Sequence, residues 1–303
     1  MEFIPAGELE ERAPHKLISY AILFLWLMTF VMNGIAYGIY MGARDIYEKY
    51  YLRSLLQVQA KIILIQAISG ILWFVVTIYI FISTLFFERR EKYNIASGAM
   101  FLVSGVAEAI LSVFLLQVRD RLIYCYEHFP VLSIEELQNI LSTIISEMST
   151  LFLLSSIIIS LSIGLAFIFL GLGVRKTVDT LMVDIEALRM QMLATLTPET
   201  QQTIGEETTP IRIHGGLIYV IFKKMTDGLK KMRSGGTIYI LSGVLDIASI
   251  FIPTMGFFAF ILFIIGMIMI NSGRKMFLEA RRQIMLLHQP QRETMGKGGV
   301  LVV

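Results

Sequence analysis

Residues 151–174 read LFLLSSIIISLSIGLAFIFLGLGV, an uncharged run of 24 residues closed by Arg175-Lys176. As a helix rising about 1.5 Å per residue, such a run reaches about 36 Å, enough to cross a hydrocarbon core of roughly 30 Å. Backbone N–H and C=O groups have no water to bond inside a bilayer, so a helix is the natural conformation for it.

The rest of the chain repeats this character. Of 303 residues, 55% are hydrophobic and 17% charged, and the mean hydropathy is +0.69. Further apolar runs cover 17–42, 62–87, 95–117, 236–252 and 256–271. The last two are short and are separated by Pro253-Thr254-Met255, which predicts a helical hairpin. The reading is an all-α polytopic integral membrane protein, a bundle of six transmembrane helices. The leading segment MEFIPAGELEERAPHK is acidic and lacks the basic-then-apolar form of a cleaved signal, so the first span is expected to remain in the mature protein. The lone cysteine, Cys125, excludes an intramolecular disulfide.

Charge placement orients the bundle. Twenty Lys and Arg fall in the 1–16 tail, the ERREK segment at 88–92, the 175–235 loop and the 274–303 tail. Six lie on the other side. The positive-inside rule then puts both termini in the cytoplasm of a cell-membrane protein. Helical extensions are expected on both faces. Outside, they cover 43–61 and 118–150, the second opening with a Ser133/Glu136 capping box and running into the span at 151–174. Inside, Val178, Leu181, Ile185, Leu188, Met192 and Thr195 make one heptad-like stripe, and Ile218, Phe222, Met225, Leu229 and Met232 another. These predict an antiparallel cytoplasmic hairpin over 175–235, with TPETQQTIGEETTPIRIHGG (197–216) as a flexible connector, before spans five and six at 236–273.

Two acids interrupt the apolar runs in the same local frame. VSGVAEAILSVF (103–114) holds Glu108, and LSGVLDIASIFIP (241–253) holds Asp246. Ser104-Gly105 and Ser242-Gly243 precede them, and Ser97-Gly98 and Ser234-Gly235 lie about two turns earlier, a pattern that suggests an internal repeat. An ionised carboxylate at bilayer depth costs roughly 2.5–3.5 kcal/mol on insertion scales. Three uses fit: hydrogen-bonded glue between helices, a proton or cation pathway, or a seat for a basic residue of a partner.

Gly34, Gly38 and Gly42 recur every fourth residue in the first span, beside Asn33, Tyr37 and Tyr40. Such a groove admits another helix closely, either within the bundle or from a second copy or another subunit. Gly105 and Gly243 are further helix-packing candidates. His15, His128, His214 and His288 all lie outside the spans, so a membrane haem is not expected. Cys125 and His128 have C-x-x-H spacing, but two ligands do not make a metal site. KKMTDGLKKMR (223–233) adjoins a span and alternates with apolar residues, which points to anionic lipid headgroups rather than nucleic acid. Phosphate-loop, zinc-protease and nucleophile-elbow motifs are missing from the sequence, and no cofactor, metal or catalysis is expected.

The stretch GLKKMRSGGTIYILSGVLDIASIFIP resembles the repeated unit of small archaeal multi-pass membrane proteins of unassigned function, in which a basic helix leads into a Gly/Ser-rich hairpin of spans. The likeness covers residues 228–275 and extends to 92–117, and it implies no mechanism.

Two functions follow. The first is a non-catalytic scaffold or accessory subunit of a larger membrane assembly, partnered by the bilayer and by further copies or other membrane subunits. The alternative is a small proton- or cation-coupled transporter or channel using Glu108 and Asp246.

Overall fold

A computed structural model describes residues 15–43, 51–87, 92–129, 131–196 and 209–288. Most of the two tails, the ERREK segment and most of the 197–216 connector lie outside the described residues. The described residues form six helices: α1 (His15–Ala43), α2 (Tyr51–Phe87), α3 (Lys92–Glu127), α4 (Ile134–Leu196), α5 (Thr209–Ala248) and α6 (Thr254–His288). The fold is an all-α polytopic bundle, and five of its helices are long and apolar enough to cross a membrane. The exception is α5, whose last 18 positions carry Lys231, Arg233 and Asp246 and whose helix stops at Ala248.

The chain divides into two compact units. The first holds residues up to Gly173 together with Tyr239–Phe263. Its most extensive pairing joins α2 to α3. Gly98, Gly105 and Ser112 of α3 lie against Thr84, Thr77 and Gly70 of α2, a seven-residue step on each helix running in opposite directions. A period of seven keeps one small-residue seam facing one neighbour in an antiparallel pair. The threonine hydroxyls bond back within their own helix, Thr77 Oγ1 to Phe74 O at 2.8 Å and Thr84 Oγ1 to Phe81 O at 2.7 Å. Both threonine hydroxyls at the seam are therefore satisfied.

Beyond the seam, α2, α3 and α4 build an apolar cluster that includes Leu56, Ile63, Val118, Leu122, Leu137 and Ile144. Cys125 is buried in it. Arg53 lies over the Tyr126 ring at 4.9 Å, and Arg121 pairs with Glu147 at 2.8 Å. The N-terminus of α4 carries the capping box: Glu136 N donates to Ser133 Oγ at 3.2 Å, and Ser133 N donates to Glu136 Oε2 at 2.9 Å. From there α4 runs for 63 residues without a break.

The second unit comprises Val174–Ile238 and residues from Ile264 onward. It is a three-helix arrangement rather than a two-helix hairpin, because α6 continues past Arg274-Lys275 to His288. Its core includes Val178, Leu181, Phe222, Met225, Leu229 and Phe277. Of the two stripes read from sequence, Val178, Leu181, Ile185, Phe222, Met225, Leu229 and Met232 are buried. Gly228 and Gly273 meet backbone to backbone, each in reach of the other's carbonyl. Lys224 pairs with Glu279 at 2.9 Å, Arg233 with Asp179 at 3.2 Å, and Lys231 Nζ donates to Ser272 Oγ at 2.8 Å.

Candidate functional site: two acids and an outward glycine face

Both acids belong to the first unit. Glu108 is half-buried on α3, with its carboxylate beside Gly70 of α2 at the end of the small-residue seam. Ser112 Oγ donates to the Glu108 carbonyl at 2.7 Å. Asp246 lies deeper, at 7% exposure, and its Oδ2 is buried without a hydrogen-bond partner. Ser249 Oγ donates to its backbone carbonyl, not to its carboxylate. Among the described residues no ion pair involves either acid, and no hydrogen bond joins them.

The serines of the two frames are both fully buried but serve differently. Ser104 donates to Phe101 O at 2.7 Å and accepts from Trp73 Nε1 of α2 at 3.2 Å. Ser242 donates across to the Ala259 carbonyl of α6 at 2.7 Å. The glycines behave alike, since Gly105 abuts Thr77 of the preceding helix α2, and Gly243 abuts Gly164 of the preceding helix α4.

An aromatic ladder joins the two frames, and the sequence reading did not foresee it. Phe101 meets Phe167 edge-on with centroids 5.7 Å apart, Phe167 meets Phe263 at 5.1 Å, and Phe263 stacks on Tyr239 at 5.4 Å. Phe101 and Tyr239 stand three residues before Ser104 and Ser242, so the shared frame extends one turn further than its Ser-Gly-Val core. Buried rings in these offset and edge-on arrangements each add about 0.5–1.5 kcal/mol beyond their area.

The first-span glycines do not pack inside the bundle. A Cβ placed at Gly34 or at Gly38 would meet nothing within 4 Å, and Asn33, Ile35 and Tyr37 beside them are exposed. Of the two sequence readings of this groove, intrachain packing is not realised at Gly34 and Gly38, because α1 turns its buried residues Ile22, Leu25 and Ala36 to the bundle instead. Gly42 closes the same helix, and its surroundings lie outside the description.

Near the α3–α4 connection, Cys125 faces the core while His128 is exposed and stacked on Tyr124 at 4.2 Å. Asp120, Arg121, Tyr124, Asn139, Ile140 and Thr143 line a shallow groove of about 560 Å³ between α3 and α4. No family model, curated protein or solved structure matches this chain.

Proposed function

We propose that this chain is a non-catalytic membrane scaffold or accessory subunit, docking another transmembrane helix against the Asn33–Gly34–Tyr37–Gly38 face of α1. The observation that carries the reading is a contrast among glycines. Gly70, Gly98, Gly105, Gly164 and Gly243 all face a neighbouring helix at contact distance, whereas Gly34 and Gly38 face open space. An exposed Asn33 on the same face supports it, since an amide in lipid lacks partners that another helix would supply. The occupant this face fits is its own copy. An amide both donates and accepts, so two Asn33 side chains can satisfy each other across a two-fold axis. The membrane is read as the cell membrane with both termini cytoplasmic, supported by the concentration of Lys and Arg in the segments that flank the spans on that side. The test is Gly38→Leu, which should abolish self-association in mild detergent while the thermal midpoint of the monomer stays within about 2 °C, surface changes being worth little. Unchanged association would remove the docking face.

A second reading rests on Asp246, whose buried oxygen lacks a partner: the acids would serve a proton or cation path. Proteoliposome flux that disappears in Glu108→Gln/Asp246→Asn, with association intact, would favour it over the scaffold.

A further inference from the structure

We infer that the second unit binds a phosphate-bearing anion at Arg281, independently of any role for α1. Arg281 is 6% exposed and sits on the buried stripe of α6 with Phe277, Ala280 and Ile284. Its Nη1 is buried without a hydrogen-bond partner. Two turns earlier on the same face, Arg274 has a buried Nε that also lacks a partner. Among the described residues, the carboxylates that the unit commits to ion pairs go elsewhere: Glu279 to Lys224, Asp179 to Arg233 and Glu186 to Arg189. Nor does α5 offer an acid at this level. The contacts of Gly228 with Gly273 and of Lys224 with Glu279 set a register that carries Val220, Ile221 and Phe222 opposite Arg281.

A guanidinium N–H held out of water without a hydrogen-bond partner is strongly unfavourable, and a compensating anion removes that cost. Phosphate is the chemical match, because the planar fork of N–H donors fits its oxygens two at a time. Exposed Lys275 and Lys230 in the same unit add positive charge that raises the local concentration of anions. Arg274 follows the apolar run of α6 by only a few residues, so the phosphate can come from a lipid headgroup or from solution. The chemistry is shared, and the experiment separates the sources.

The full chain in maltoside micelles, which carry no phosphate, would be melted with sodium chloride, with inorganic phosphate and with pyrophosphate at matched ionic strength. A parallel sample in maltoside micelles mixed with phosphatidylglycerol would be melted in chloride alone. The inference predicts a rise in thermal midpoint of about 3–6 °C in at least one phosphate-bearing arm and none from chloride. A rise with soluble phosphate identifies a solution anion, and a rise only with phosphatidylglycerol identifies the headgroup. Arg281→Met should lose the rise and Lys275→Met should keep it. Should Arg281→Met fail to fold, Arg281→Lys, which keeps the charge but lacks the fork, should show a reduced rise. A wild-type midpoint that is the same in every arm overturns the inference, as does a rise of equal size in wild type and the Arg281 variant.

Discussion

Gly243 of α5 and Gly164 of α4 face each other so closely that each α-carbon points at the other's carbonyl: a Cβ on Gly164 would lie 2.7 Å from Gly243 O, and one on Gly243 would meet Gly164 O. Backbone cannot rotate out of the way as a side chain can. The nearest neighbour of a Cβ on Gly98, by contrast, is the Thr84 side chain.

This contrast ranks two substitutions. Gly243→Ala should destabilise the fold by about 1–3 kcal/mol, the usual cost of overpacking a filled core, while Gly98→Ala should cost less because Thr84 can yield. Thermal unfolding in one detergent checks the order. Equal costs would mean that the α4–α5 approach is looser than it stands here.

A milder effect is expected at the N-terminal end of α4. Ser133→Ala removes the hydroxyl that accepts from Glu136 N, and should cost about 1 kcal/mol. Hydrogen exchange should show faster amide exchange confined to the first turns after Ile134. Faster exchange throughout the 63-residue helix would contradict a local cap.

The buried acid offers a third comparison. Asp246→Asn keeps shape and hydrogen-bonding capacity while removing a charge that has no counter-ion, so the fold should be retained or slightly stabilised. Asp246→Leu, which cannot bond at all, separates packing from polarity. If Asn unfolds the protein while Leu does not, polarity at this position is not the determinant.

Much of the fold was legible in the sequence because hydropathy alone marks runs such as 151–174. The extension of α6 to His288 was not, since Arg274-Lys275 reads as the end of a span. The stripe of Phe277, Ala280 and Ile284 that carries the helix on is interrupted in sequence by Glu279, Arg281 and Arg282, which hide its period. The shared acid frame was visible, yet nothing local distinguishes half-buried Glu108 from buried Asp246. Their surroundings come from residues far away in sequence, Gly70 of α2 beside Glu108 among them. The ladder from Phe101 to Tyr239 was equally invisible, because its rungs come from four separate helices. The glycines teach the same lesson: Gly38 and Gly105 look alike in their local patterns, and only the neighbouring helices show that one faces outward and the other is filled by Thr77.

The outward face of α1 is also where a bulky residue should matter least to folding. Gly34→Ile should leave the thermal midpoint of the isolated chain within about 2 °C, while Gly105→Ile, which meets Thr77 and the Phe74 backbone, should prevent folding or lower the midpoint by at least about 5 °C.

The most direct test of the docking face is disulfide cross-linking in native membranes. In a Cys125→Ala background, Asn33→Cys and Tyr37→Cys should give covalent dimers under mild oxidant, whereas Ile68→Cys, exposed on α2, should stay monomeric. Dimers at the α1 positions alone are the predicted result. Monomers at every position, or equal cross-linking at Ile68, would contradict a specific α1 interface between copies.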